Sequence, residues 1–328
     1  AVDADLEAHD VRLTMGGEPT FVSIDDMDGA EWNTDALGKR KRELAGDLLA
    51  RLQARFAPGA VLFFGQGKWY PGEPLPRWAL SCHWRVDGVP VWRDPSLFAD
   101  ERRPDGAGAA QAGRFADSLA RRLGLLEQLV VPGYEDALYY VWKEGTLPLN
   151  LDPMKADLSD AGERRRLAEL LSRGLERVTG HALPLRWGER PDGREGWVSG
   201  RWLFRRSRMY LVPGDSPMGY RLPLDSLPWL PPEQREYVEP HSLFAPRGAL
   251  AVGAQPRADG AEGAPSAPLP PGQPQPDPLD PVSVVRTAVC IEPRNGILYV
   301  FMPPLTHIEH FLELVASIEE TAAELRQP

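Results

Sequence analysis

Residues 245–282, APRGALAVGAQPRADGAEGAPSAPLPPGQPQPDPLDPV, set the strongest limit on how this chain can fold. Proline, glycine and alanine dominate the run, and almost nothing in it is large enough to bury. Such a segment cannot offset the entropy of ordering itself. It is expected to be a disordered or extended linker without an enzymatic role of its own. Any core must therefore come from the residues on either side. The expected organisation is a first core strand and acidic loop over 1–37, a repeat region over 38–244, the linker over 245–282, and a β-hairpin with a final helix over 283–328.

The chain has 328 residues, enough for a large core and for two domains. Its formal charge of −10, from 37 basic and 47 acidic residues, argues against a nucleic-acid-binding surface. No apolar run approaches the roughly 18 residues a membrane span requires. The polar, acidic start AVDADLEAHD does not resemble a secretory signal. Cys82 and Cys290 lie far apart in apolar surroundings and without metal-binding spacing. They read as buried free thiols of a reducing compartment, and the expected location is cytoplasmic.

The region between residues 38 and 244 carries an internal repeat. Residues 79–95, ALSCHWRVDGVPVWRDP, align without gaps on residues 137–153, ALYYVWKEGTLPLNLDP. Both start Ala-Leu, carry a Trp followed by a base, and end Asp-Pro. Each reads as an apolar strand, a turn and a second strand. A weaker third copy is WLFRRSRMYLVPGD at 202–215, so Trp84, Trp142 and Trp202 recur at about 60-residue spacing. Leucines at helical spacing predict helices at 38–56, 111–126 and 161–178 ahead of these copies. The expected fold is α+β: an antiparallel sheet with helices, split by an insertion of about three helix-plus-hairpin units. Strands at 11–24 and 287–303 would supply the sheet. Asn295-Gly296 is a strong two-residue hairpin turn, and 306–325 is an amphipathic helix.

Several clusters bear on chemistry. In RLTMGGEPTFVSI, 12–24, Glu18 stands between a Gly-Gly pair and a proline on a kinked or edge strand. A carboxylate held there is placed to bind a metal, and the alternative is an exposed turn residue. Asp25, Asp26 and Asp28 follow directly and can help Glu18 hold Mg²⁺, or form a solvated acidic loop. Gly65, Gly67 and Lys68 in FFGQGKWYPGEPLPRW, 63–78, can offer backbone amides and a cation to phosphate. The run lacks the Walker pattern, so a rigid Trp/Pro loop competes with that reading. Glu135 and Asp136 in PGYEDALYY stand before an expected strand of aromatics and read as caps or solvated turn residues rather than a metal site. His307 and His310 read as an exposed helix face. Neither a nucleophile elbow nor a cysteine triad is present.

Five stretches, LTMGGEPTFVS, GQGKWYPGEPLPRW, WVSGRWLF, PGDSPMGYRLPLDSLPW and EPRNGILYVFMPP, resemble a bacterial amidoligase family of the glutamine-synthetase-like carboxylate–amine ligases. The resemblance spans nearly the whole chain outside 245–282. It implies ATP-dependent phosphorylation of a carboxylate followed by attack of an amine, with Mg²⁺ bridging the phosphates. It implies a peptide or small-molecule carboxylate and amine as substrates. Family members often lie behind a transglutaminase-like domain in the same polypeptide. The resemblance gives Glu18 as the matching metal ligand, although Thr20 stands where a second acid is expected. Asp25 and Asp26 would assist at the metal, while Lys68, Arg77 and Arg294 would meet phosphate or the substrate carboxylate. For Arg294 the alternative is a turn salt bridge to Glu292. Family chains continue beyond the position of Pro328, so this chain is expected to be the N-terminal half of the ligase domain and inactive alone. A second reading of the same residues is a peptide- or partner-binding module built from Trp-rich hairpins around Trp84/Arg85 and Trp202/Arg205/Arg206.

Overall fold

The computed structural model describes residues 23–33, 38–66, 78–145, 177–190, 193–214, 216–231 and 277–328, with a few isolated positions besides. These fall in two units, Ala1–Arg85 and Val86–Pro328. Both mix helices with largely antiparallel sheet, so the fold is α+β. Nearly all of the expected strand at 11–24, of the expected helix at 161–178 and of the expected linker at 245–282 lies outside the described residues; Ile24 falls in a turn, and Val178 begins a strand.

In the first unit, helix α1 (Lys39–Phe56) leads into strand β1 (Val61–Gln66), which pairs antiparallel with β2 (Trp78–His83). The Glu31 carboxylate accepts the amides of Arg40 and Lys41 at 3.2 and 2.7 Å. It thereby satisfies donors that the first helical turn leaves open. At the other end Ala57 donates its amide to Gln53 O at 2.9 Å, and the Gln53 side chain donates to Ala60 O at 2.7 Å. These bonds close the helix onto β1.

The pairing of β2 corrects the repeat expected at 79–95. Its partner is the upstream strand β1, in register Phe63↔Ser81, and not residues 89–93. Pro90 would remove a ladder donor from such a second strand. Residues 86–88 instead make a turn with Gly88 at φ 75°, and Asp94 caps a short 3₁₀ turn at Pro95–Leu97.

The second unit is built on a five-stranded sheet. Its strands are β3 (Val131–Tyr134), β4 (Val178–Pro184), β7 (Met209–Tyr210), β8 (Ala288–Arg294) and β9 (Ile297–Phe301), in the order β7-β3-β4-β8-β9. Every neighbouring pair is antiparallel except β7 with β3. A separate hairpin joins β5 (Arg186–Glu189) to β6 (Glu195–Val198), with Trp187 opposite Trp197. The β8–β9 turn is the expected one: Asn295 and Gly296 sit at φ 53° and 77°, as a tight hairpin turn requires.

Helices α2 (Ala109–Arg122) and α4 (Ile308–Leu325) pack against each other, and α2 lies on β4 and β8. The buried face of α2 is Ala112, Phe115, Ala116, Leu119 and Ala120. Its alanines let the helix approach the strands closely, and Gly113 meets the ring of His181. Leu314, Val315, Ile318 and Ala322 form the matching stripe on α4. Arg122 bridges the two helices by pairing with Glu320 at 2.9 Å and Glu324 at 2.7 Å. Hydrogen bonds from Arg122 and then Ser118 hold the Glu324 carboxyl below its usual range.

The second expected hairpin, 137–153, is also corrected. Residues Ala137–Gly145 form helix α3. The Asp136 carboxylate accepts the amides of Leu138 and Tyr139 at 3.1 and 3.2 Å, an N-cap that starts a helix where aromatic content suggests a strand. The third copy, 202–215, supplies only the two-residue strand β7, paired parallel to β3.

Candidate functional site

Three of the sequence-derived site residues, Glu18, Lys68 and Arg77, lie outside the described residues. Asp25 and Asp26 sit in an exposed turn in which the Asp25 amide donates to Ser23 Oγ and the Asp26 amide to Ser23 O, at 3.3 and 3.2 Å. Their carboxylates are hard oxygen donors open to solvent. That suits Mg²⁺, which is commonly held by one or two carboxylates together with water and substrate phosphates. Among the described residues no group of three or more His, Cys, Asp or Glu is arranged to hold a metal. Asp25 and Asp26 therefore fit the chemistry of the ion without forming a cage for it.

Arg294 is the last residue of β8, and its Nη1 lies 3.2 Å from Glu292 Oε1. The turn salt bridge is therefore present. The Arg294 side chain keeps 28% of its surface exposed, whereas that of Glu292 keeps 3%. One end of this ion pair meets solvent and the other is anchored in the sheet.

The anchoring reveals a polar network that local sequence patterns do not show. Glu292 also accepts the Met218 amide through Oε2 at 2.9 Å. Three residues further on, the Arg221 guanidinium pairs with both oxygens of Glu135, Nη1 to Oε1 at 3.2 Å and Nη2 to Oε2. Glu135 follows β3 directly and accepts a further bond from Thr179 Oγ1 on β4 at 3.3 Å. Arg221 completes its fork by donating Nε to Val212 O at 2.8 Å, and Val212 returns its amide to Arg221 O at 2.8 Å. Both ionised side chains are almost fully buried, at 3% and 1% exposure. At such a depth neither charge is tolerable without the other.

Between the two glutamates, β4 contributes Gly180. A methyl there would lie 2.7 Å from Ile291 O and 2.8 Å from Met218 Sδ. Only glycine lets residues 218–221 settle this closely on the strands. The segment 212–221 is thus fixed to the sheet at two points, one on each side of β4. All of it but Val212 lies within PGDSPMGYRLPLDSLPW, while Glu292 and Arg294 lie within EPRNGILYVFMPP. Two of the long stretches noted in the sequence converge here.

Glu135 reads as a cap or turn residue in the sequence, Glu292 only as a partner of Arg294, and Arg221 carries no local signal. The usable clue is an acid or base embedded in an apolar strand or turn, which needs a partner if buried. Chemically, Glu135 and Glu292 are committed to Arg221, Met218 and Arg294. They position the segment, and Arg294 carries the only partly exposed charge in the Glu292 pair.

Nearby groups complete the electrostatics. His181 on β4 is pressed against α2, and its Nδ1 is buried without a hydrogen-bond partner. Burial lowers its pKa to about 4, so the imidazole is neutral at physiological pH. Burial first, and then the Glu292 charge, push the Cys290 thiol well above its usual range, which makes it an unreactive core residue. Cys290 and Cys82 are both free; Cys290 is buried as expected, whereas Cys82 is only partly buried. Trp202 is buried, with Nε1 donating to Val285 O at 2.7 Å, so it does not front a docking surface with Arg205 and Arg206. No helix among the described residues is long and apolar enough to cross a membrane.

Compared with known proteins, the chain matches one family along its whole length. The family carries the description Putative amidoligase enzyme (DUF2126), and the match covers residues 1–328. No curated protein and no solved structure matches the chain.

Proposed function

Because the chain belongs to this amidoligase family, we propose that it forms part of an ATP- and Mg²⁺-dependent ligase that joins a carboxylate to an amine through an acyl phosphate. The full-length family match is the observation that carries the reading. In the first half-reaction a substrate carboxylate oxygen attacks the γ-phosphorus and ADP departs. In the second, the amine attacks the acyl carbon, phosphate leaves, and the amine loses a proton. Mg²⁺, when bound, neutralises charge on the phosphate oxygens.

Within this proposal Glu18, Asp25 and Asp26 bind the metal. Lys68, Arg77 and Arg294 meet phosphate or the substrate carboxylate, and Arg294 is suited to that role by its partly exposed guanidinium and anchored partner. The substrates are a peptide or small-molecule carboxylate and amine. A transglutaminase-like domain in the same polypeptide is the proposed partner and the cytoplasm the proposed location. A second reading, a peptide-binding module without catalysis, draws on Trp84 and Trp142, which are 57% and 64% exposed.

Calorimetric titration with a non-hydrolysable ATP analogue and Mg²⁺ tests the ligase reading. Saturable, Mg²⁺-dependent binding, weakened about tenfold or more by Glu18→Gln, is expected. Absence of nucleotide binding by the folded chain, and by the intact parent polypeptide, overturns the reading. Peptide binding in that case favours the second.

A further inference from the structure

The segment 201–208, RWLFRRSR, places Arg201, Arg205, Arg206 and Arg208 on the surface of a chain whose formal charge is −10. Its two larger apolar anchors turn inward. Trp202 is 5% exposed, and Phe204 packs against the same buried cluster. The Ser207 amide closes a turn onto Phe204 O at 2.8 Å, which holds Arg205 and Arg206 outward at its tip. Arg208 lies 4.9 Å over the ring of Tyr134, immediately before β7 and beside the strand end that leads to Glu135. Its guanidinium is therefore partly ordered before any ligand arrives.

The charges of this turn are close together in the sequence and, among the described residues, lie apart from the ion pairs of the unit. Elsewhere in the same unit, Arg93, Arg121, Arg122, Arg221 and Arg294 all pair with glutamates. Arg201, Arg205 and Arg206 meet no carboxylate among the described residues. Four exposed arginines within eight residues concentrate positive charge on an acidic protein, and an anionic ligand is attracted to such a concentration.

We infer that the 201–208 turn is a docking surface for an acidic peptide, whose spaced carboxylates it takes up through Arg201, Arg205, Arg206 and Arg208. Naming carboxylates as the anions rests on the amidoligase reading. The charge argument does not. A compact polyphosphate would need donors converging on a walled pocket, commonly with a cradle of backbone amides. Here the arginines follow a solvent-exposed, irregular stretch, and each planar fork matches a single carboxylate. Charges strung along one chain fit charges strung along another.

The test is fluorescence anisotropy of a labelled hexaglutamate peptide with the full chain, compared with a hexaglutamine peptide and with competition by inorganic tripolyphosphate. Salt-sensitive binding of hexaglutamate alone is expected. The double variant R205A/R206A is expected to weaken it about tenfold, since two exposed charge pairs at roughly 0.7 kcal/mol each amount to that factor. Matching circular dichroism and melting curves show that the variant is folded. The inference fails if hexaglutamate does not bind, if R205A/R206A binds it unchanged, or if tripolyphosphate binds at this turn far more tightly than the peptide. Because this readout contains no nucleotide, peptide binding with failed nucleotide binding would overturn the ligase reading alone.

Discussion

The two faces of the five-stranded sheet are held in different ways. One face carries α2, and the contact there is apolar and close, with alanines and Leu119 against β4 and β8. The other face carries mostly irregular chain, with Trp202, Met209, Leu211, Met218 and Leu227 packed over Ala182 and Cys290. A helix arrives with its backbone hydrogen bonds already made, so burying a stripe is enough to fix it. Irregular chain brings open donors and acceptors, and its position has to be set by specific bonds. Glu292 to the Met218 amide and Glu135 to Arg221 provide that setting. The helical face is therefore specified by side-chain size, and the irregular face by charge.

The sharpest way to break this contrast is Arg221→Ala, which strands a buried Glu135 carboxylate. A loss of about 3–5 kcal/mol is expected. Hydrogen exchange should show residues 209–221 losing protection first, while α2 keeps its own. Equal loss on both faces would show that the segment is not fixed locally by the pair.

An effect of intermediate size tests the helical face through His181. Folded His181 takes up a proton only near pH 4, whereas an ordinary histidine does so near 6.5. Between those values the unfolded chain binds one more proton. Stability therefore falls as pH drops from about 6.5 to about 4 and does not fall further below that on this account. A contribution on the order of 2–3 kcal/mol is expected. Across that range the urea midpoint of the parent is expected to fall towards acid relative to that of His181→Leu. Parallel curves would remove His181 as the source.

The smallest effect compares two glycines. At Gly133 a methyl would meet Met218 Cε at 2.8 Å and Met209 Cε at 3.2 Å, both flexible side-chain ends. Gly133→Ala is expected to cost about 1 kcal/mol or less, because methionine repacks readily. Gly180→Ala, facing the Ile291 carbonyl, should cost clearly more in the same denaturation assay. Similar costs would mean that the methionine-lined face is as rigid as the backbone.

The same contrast explains what the sequence made legible. The helices at Lys39–Phe56, Ala109–Arg122 and Ile308–Leu325 announce themselves by apolar residues at helical spacing, and the β8–β9 hairpin by Asn295-Gly296. These signals are local. Residues 137–145 were misleading because Leu138, Tyr139, Tyr140 and Trp142 suit a strand, and the Asp136 cap decides otherwise. The partner of β2 lies upstream because Pro90 spoils the downstream option. Glu135 and Arg221 are far apart in sequence, and no periodicity connects them. The candidate site was legible only as long stretches of resemblance. Asp25, Asp26 and Arg294 fall on described turns or strand ends, and the network beneath Arg294 came from burial alone.

The β8–β9 hairpin has a consequence for the timing of synthesis. Its strands meet across two residues, and such turns close in roughly 1–10 μs. Yet Gly296 O accepts the amides of both Gly106 and Ala107 at 3.0 Å, just ahead of α2. Cys290, at the open end of the same hairpin, also pairs with Ala182 in the middle of the sheet. On a ribosome adding roughly 5–20 residues per second, β4 waits on the order of ten seconds for its neighbour to emerge. During that interval the nascent chain carries an open strand edge and an unseated helix, the condition in which a holding chaperone has most to protect.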